Sequence, residues 1–152
     1  MCEEARVALV SGLNHVAVLT ADLDRFIDFY TRVFGLEVIF SERTAGLSHA
    51  ILKISATSWL HPAELPASPY ADGLATMFQR GHLDHLSLAA SSADAFQQLR
   101  ARLLEAKASD GRIDDLGAFR TIWFVDPDGM RGEVALIVDL SLSGIHEPRP
   151  IS

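Results

Sequence analysis

Two histidines, His15 and His85, occupy equivalent places in the two halves of this 152-residue chain. A shift of 70 positions lays residues 14–36 on residues 84–106 without a gap, and the two histidines then coincide. The same stretch holds three more identities, which are Asp24 with Asp94, Phe26 with Phe96 and Arg32 with Arg102. Neutral imidazole is a common metal ligand, so two of them related by a duplication form a candidate metal site.

Each half has one further candidate site residue on its last strand. Glu133 follows His85 by 48 residues, and His61 follows His15 by 46. The difference is even, so strand parity puts His61 on the corresponding face of the first half. Two histidines and one carboxylate on one side of a cation suit Fe(II), Mn(II), Ni(II) or Zn(II). His61 is then a fourth ligand, an acid/base group or a rim residue.

The charge of such a site indicates the substrate it would take. A divalent ion held by His15, His85 and Glu133 keeps a net charge of about +1. This charge favours a small substrate whose adjacent oxygens chelate as an anion. Trp59 and Trp123 are predicted to be core residues or walls of the substrate pocket, and Trp123 lies two positions before the end of its predicted strand, where it could line a cavity.

Other residues fit structural roles better. His49, His82 and His146 are predicted to be surface or packing residues. Asp126-Pro127-Asp128-Gly129 has the pattern of a tight turn, which explains both aspartates without an acid pair. The sequence has neither a glycine-rich phosphate loop nor a Gly-x-Ser-x-Gly elbow.

The elements that must position these residues follow the duplication. In each half, the apolar pattern predicts a strand, a helix and three further strands. Alternating apolar residues indicate the strands, and a 3.6-residue spacing indicates the helix. The expected fold is α+β, with two βαβββ modules forming a cupped, partly open mixed β-sheet barrel and helices outside. The expected organisation is one domain over residues 12–140, with module one at about 12–63, a connection at 64–81, module two at about 82–140, and a tail at 141–152 lying along the surface or a partner.

Composition narrows the class of protein. Hydrophobic residues make up 49% and charged residues 22%, which is typical of a globular chain. The net charge of −7 argues against nucleic-acid binding. No apolar run reaches the roughly 18 residues that cross a bilayer, and the N-terminus lacks a basic signal region. Cys2 is the single cysteine, so an intrachain disulfide is excluded. We expect a cytoplasmic protein without a membrane partner.

The sequence also resembles the vicinal oxygen chelate superfamily, which includes glyoxalase I, extradiol dioxygenases and the fosfomycin and bleomycin resistance proteins. The resemblance covers roughly residues 12–140. Its carriers are Gly12-Leu13-Asn14-His15-Val16-Ala17-Val18, Phe34-Gly35-Leu36-Glu37-Val38, Leu83-Asp84-His85-Leu86-Ser87-Leu88 and Phe124-Val125-Asp126-Pro127-Asp128-Gly129 before Glu133.

The resemblance implies a divalent metal held by His15, His85 and Glu133, with His61 near the position of a fourth ligand. In glyoxalases that ligand is often a carboxylate, whereas in ring-cleaving dioxygenases a nonligand histidine acts as acid/base. Those dioxygenases carry a tyrosine where this chain has Trp123.

Three functions remain open: a glyoxalase-like isomerase or lyase, which is favoured, an extradiol dioxygenase, and a protein that sequesters an antibiotic or metabolite. The resemblance also implies a homodimer. The modules either close one cavity within the chain or pair with those of a partner.

Overall fold

The computed structural model describes residues 13–45, 48–64, 83, 85–139, 141 and 145–151. The first half contains five elements in the order strand, helix and three strands: β1 (His15–Thr20), α1 (Leu23–Phe34), β2 (Glu37–Arg43), β3 (Ser48–Lys53) and β4 (Trp59–Glu64). The second half repeats this order and adds a strand: β5 (Leu86–Ala89), α2 (Ala93–Glu105), β6 (Ile113–Gly117), β7 (Phe119–Val125), β8 (Arg131–Ile137) and β9 (Ile145–Ile151).

Each half forms its own mixed sheet. The strand orders are β1-β4-β3-β2 and β5-β8-β7-β6-β9. In both sheets the first strand pairs in parallel with the fourth, and the remaining pairs are antiparallel. The predicted α+β fold of two βαβββ modules is confirmed. Within the described residues the two sheets are not closed into a barrel, as expected for a cupped, partly open arrangement.

The helices begin and end where their capping residues allow. The Asp22 side chain accepts a hydrogen bond from the Arg25 amide (2.9 Å), and Ser92 does the same for Ala95 (3.0 Å). Gly35 ends α1 with φ 69°, a left-handed conformation that glycine adopts without a Cβ penalty. The buried sides of both helices belong to the hydrophobic core, so one face of each sheet is covered.

The two modules are joined by contacts of β1 and α1 with β7 and the turn that follows it. The Tyr30 hydroxyl donates to Asp126 at 3.2 Å, while Asp128 accepts from Thr20 and Arg25, each at 2.6 Å. The Phe124 ring lies 5.1 Å from the Phe34 ring, centroid to centroid. We call these contacts the inter-module joint. The structural role predicted for the two aspartates is confirmed, and it extends beyond the turn to the other half of the chain.

The C-terminal segment forms β9, a strand that the sequence did not predict. It pairs antiparallel with β6, with Asp114 opposite Pro150 and Asp115 opposite Arg149. An edge strand tolerates proline because one side of its backbone needs no partner strand. The predicted connection at 64–81 lies outside the described residues, apart from Glu64. No helix in the described part of the chain has the length and apolar character needed to cross a membrane.

Candidate functional site

Module one brings His15 and His61 together on the face of its sheet that points away from α1. His61 pairs with Ala17 of the parallel neighbour β1, so it shares a face with His15 two residues earlier. The two imidazole rings lie edge to face with centroids 5.9 Å apart. The face predicted for His61 from strand parity is therefore confirmed. Trp59 pairs with His15 in the same register and is half-buried.

A hydrogen bond fixes the ring of His15. Its Nδ1 lies 2.8 Å from Oδ1 of Asn14, which is an amide oxygen and can only accept. In the neutral ring, a proton on Nδ1 makes this hydrogen bond and leaves the lone pair on Nε2. An imidazole with its second nitrogen oriented in this way is prepared for metal ligation.

His61 is also connected to a second histidine and a carboxylate. Its Nε2 lies 2.9 Å from Nδ1 of His49, and Nε2 of His49 lies 3.1 Å from Oε2 of Glu42. The three side chains form a continuous row, which we call the Glu42–His49–His61 relay. Loss of solvation lowers the pKa of His61, and the nearby His49 and His15 lower it further. The ring therefore stays neutral down to a lower pH than an ordinary histidine does.

Module two brings His85 and Glu133 together in the same way. Glu133 pairs with Ser87 of the parallel neighbour β5, so it shares a face with His85. Nε2 of His85 lies 3.9 Å from Oε1 of Glu133, and the glutamate is buried, with 6% of its surface exposed. This separation is shorter than two metal–ligand bonds of about 2.1 Å placed end to end, so one ion can contact both groups.

Trp123 completes the surroundings of His85. It is the antiparallel partner of Glu133 on β7, and its ring lies 4.9 Å from the His85 ring. With 37% of its surface exposed, Trp123 also lines an open groove of about 390 Å³. Lys107, Asp110 and Arg131 line the same groove, which therefore combines an aromatic wall with two cations and one carboxylate. Its lining reaches the candidate site through Trp123 and includes neither His85 nor Glu133.

The two pairs stay apart within one chain. Among the described residues, no three or more His, Cys, Asp or Glu side chains are grouped so that they could hold a metal ion. The structure thus contains two half-sites, His15 with His61 and His85 with Glu133. Each has donor atoms of the kinds that bind first-row divalent metals, and each is too small to be a complete site.

The sequence did not assign Glu42 or His49 to the site. The register of β3 against β4, where His49 opposes Ala63, would have indicated that His49 shares the face of His61. Glu42 opposes His49 only because a bulge lies between Val38 and Phe40, and sequence periodicity gives no sign of it. His82 and the side chain of His146 lie outside what the structure describes.

Comparison with known proteins gives the chain's relationships. The model of the Glyoxalase/Bleomycin resistance protein/Dioxygenase superfamily matches residues 12–134. A glyoxylase/bleomycin resistance protein/dioxygenase domain from Frankia sp. EAN1pec is similar in structure, with TM-score 0.70 and 24% identity, over 85% of this chain and 99% of that one. Lactoylglutathione lyase from Agrobacterium tumefaciens is similar with TM-score 0.62 and 19% identity, over 90% and 99% of the two chains.

A third similar structure is a mutant of the fosfomycin resistance protein FosX from Listeria monocytogenes, in complex with Mn(II) and 1S,2S-dihydroxypropylphosphonic acid. Its TM-score is 0.61 and its identity 18%, over 83% of this chain and 92% of that one. At these sequence identities, the similarity to the three structures shows a shared fold and no shared activity. The family-model match extends over most of the chain and includes His15, His85 and Glu133. The chain belongs to the glyoxalase/bleomycin resistance protein/dioxygenase superfamily.

Proposed function

We propose that this protein is a divalent-metal-dependent enzyme that acts on a small substrate with adjacent oxygen atoms. The observation that carries the proposal is the pair of register-equivalent half-sites. Each places two donor side chains on the open face of a sheet, in the same relation to its parallel strand pair. His15 and His85 recur at equivalent positions, which is the arrangement expected of two ligands of a shared ion.

A homodimer would assemble the complete site. β1 and β5 are edge strands of their sheets among the described strands. The open faces also carry exposed apolar side chains, with exposures of 62% for Leu19, 44% for Phe40, 48% for Val125 and 56% for Ile137. Such exposure is typical of a surface that another protein covers. With β1 of one protomer beside β5 of its partner, His15 joins the partner's His85 and Glu133.

The residues fit a divalent metal on chemical grounds. The contact of His15 Nδ1 with Asn14 Oδ1 favours the tautomer that leaves Nε2 as the free donor atom. His85 lies next to a buried carboxylate that needs a counter-charge. When bound, the ion acts as a Lewis acid that polarises the substrate oxygens. His15, His85 and Glu133 would hold it, with the Trp123 ring packed beside His85.

We assign proton transfer to His61. Its lowered pKa keeps the ring neutral near pH 7, so one nitrogen can accept a proton. Three protein ligands already suffice for a catalytic metal site, which leaves His61 outside the ligand set. His61 would take a proton from the substrate at one position and return it at another.

The reaction that fits best is that of a glyoxalase-like isomerase or lyase. A neutral histidine beside a chelated pair of oxygens can move a proton between adjacent carbons without any redox partner. The vicinal diol phosphonate and Mn(II) bound to the FosX mutant are an example of adjacent oxygens on this fold. The extradiol dioxygenase alternative needs Fe(II) and a catechol, and an aerobic assay with a catechol panel tests it through yellow ring-cleavage products.

The metal site is tested by mixing two variants, each of which lacks one proposed ligand. His15→Ala and His85→Ala are purified, loaded with Mn(II), Fe(II), Ni(II) or Zn(II), dialysed and analysed for bound metal. Each variant alone should retain no ion. After the variants are mixed and exchange subunits, each heterodimer has one intact site, so statistical mixing restores about one-quarter of the wild-type metal content.

The outcomes separate the possible functions. Restored metal supports a site shared between two protomers. If mixing restores none although wild-type protein binds metal, the site closes within one chain. Wild-type protein that retains none of the four metals contradicts the enzyme proposal. It would favour a binding protein that uses Trp123 and the groove to hold an aromatic metabolite.

A further inference from the structure

The Glu42–His49–His61 relay allows only one direction of hydrogen bonding when both of its histidines are neutral. We propose that Glu42 and His49 are positioning residues that hold the proton of neutral His61 on Nε2 and thereby keep its lone pair on Nδ1. The functional role in this inference rests on the proposed function, since a proton acceptor is useful only beside a substrate. The tautomer itself is inferred from the hydrogen bonds of the relay.

The direction follows from the carboxylate. Oε2 of Glu42 can only accept, so Nε2 of His49, 3.1 Å away, must carry a proton. When His49 is neutral, its lone pair lies on Nδ1, and this nitrogen can only accept. Nε2 of His61, 2.9 Å from that lone pair, must donate. A neutral imidazole has one proton, so Nδ1 of His61 is left as its basic nitrogen.

The relay is held by its packing as well as by its hydrogen bonds. The side chain of His49 is 17% exposed, and the Phe40 ring lies 5.3 Å from its ring. The bulge between Val38 and Phe40 brings Glu42 opposite His49 in the β2–β3 register. A bulge that aims a side chain at a functional group is a frequent feature of strands near active sites.

The place of His61 explains why its tautomer matters. It shares the open face with His15, and their rings are in edge contact. A free histidine exchanges its proton between both nitrogens, so only part of the population has a given nitrogen basic. The relay would give every molecule the same basic nitrogen beside the substrate, which is the preorganisation that efficient proton transfer needs.

Nitrogen NMR of the metal-free protein tests the inference directly. Uniformly ¹⁵N-labelled protein is used at neutral pH, and the long-range imidazole spectrum assigns the protonated nitrogen of His61 and His49. We expect both rings to be protonated on Nε2. We also expect a scalar coupling through the hydrogen bond between Nε2 of His61 and Nδ1 of His49.

Four variants, one of them a control, separate positioning from other roles. Glu42→Ala removes the anchor at an exposed position and should speed exchange of the His61 Nε2 proton by about tenfold or more. Glu37→Ala, on the same strand but opposite Lys53, is the matched control and should change nothing. His49→Leu should leave His61 as a mixture of tautomers, whereas His49→Asn supplies an acceptor oxygen near the former Nδ1 and should preserve the Nε2 proton.

Several results would overturn the inference. They are a wild-type His61 protonated on Nδ1, an equal response to Glu37→Ala and Glu42→Ala, or a His49→Asn spectrum like that of His49→Leu. The backbone amide spectrum of each variant verifies the fold, and Glu42→Ala remains informative if a His49 variant fails to fold. The spectra need neither metal nor substrate, so a failed metal site would leave them unchanged and is detected separately by metal analysis.

Discussion

His61 and Glu133 occupy the same register position in the two modules. His61 pairs with Ala17 and Glu133 pairs with Ser87, and the shift of 70 residues that superimposes the two halves maps Ala17 onto Ser87. The duplicated fold therefore presents an imidazole in one half where it presents a carboxylate in the other. Under the proposed function this difference gives one position a proton-transfer role and the other a ligand role.

Removal of these two side chains should have different effects on metal binding. We expect Glu133→Ala to weaken metal affinity by more than about 100-fold, beyond the 10- to 100-fold typical of groups that only support a ligand. His61→Ala should cost no more than about tenfold because three ligands remain. Metal titration of both variants measures this. A loss in His61→Ala as large as in Glu133→Ala would make His61 a fourth ligand.

Asp128 should be important for stability, since it accepts hydrogen bonds from Thr20, Arg25 and the Ala21 amide across the inter-module joint. Its side chain is 14% exposed. We expect Asp128→Ala to lower the free energy of unfolding by about 1–3 kcal/mol because the buried Thr20 hydroxyl and two further donors lose their acceptor. Urea denaturation measures the change. Asp28→Ala is the control, since its pair with Arg32 is exposed and contributes at most about 0.5 kcal/mol.

Asp126 should make stability depend on pH. Burial is the largest influence on its pKa and raises it, although amide hydrogen bonds from Met130 and Asp128 act in the opposite direction. The folded protein therefore binds this proton more tightly than the unfolded chain. The associated stability is complete below the ordinary carboxyl pKa of about 4 and is lost as pH rises through the raised pKa.

Asp126→Asn removes this titration. The difference in unfolding free energy between Asp126→Asn and wild type should shift in favour of the variant as pH rises from below about 4 towards neutrality. Denaturation series at several pH values measure the trend. A difference that stays constant with pH, or moves in favour of wild type, would contradict the raised pKa.

Gly132 is a position where a single methyl group should disturb the core. A Cβ at this residue would overlap the ring of Phe124, which is 2% exposed and packs against Phe34. We expect Gly132→Ala to destabilise the protein by about 1–3 kcal/mol through overpacking. Adding Phe124→Leu should recover part of this loss because it frees space at the contact, and a double-mutant cycle in urea measures the coupling. Simple additivity of the two losses would contradict the proposed overlap.

Much of the fold could be predicted because local patterns specify it. Both helices have caps and apolar stripes readable from single residues, such as Asp22 and Gly35, and the βαβββ order follows from the repeat. The pairing of His15 with His61 and of His85 with Glu133 required only strand parity and an even offset. Strand alternation is short-range information, and the sequence contains it.

What could not be predicted depends on pairing between distant segments. The bulge after Val38 shifts the register by one residue and brings Glu42 opposite His49, so neither residue could be assigned to the site from periodicity. The prolines at 148 and 150 argued against a strand in this segment. β9 forms because its backbone pairs with the edge of β6, which is distant in sequence. The separation of the two half-sites is likewise a property of how the modules pack, not of either module's own sequence.

The inter-module joint uses Thr20, Arg25, Tyr30, Asp126 and Asp128, and none of these is a site residue. Under the proposed function, the cohesion of the molecule and its chemistry thus depend on separate sets of positions. Mutation can exchange one donor for another at the shared register position, as imidazole and carboxylate already differ there, without weakening the attachment of the halves. An ancestral gene duplication would in this way have fixed where the donors stand and left their charge free to evolve.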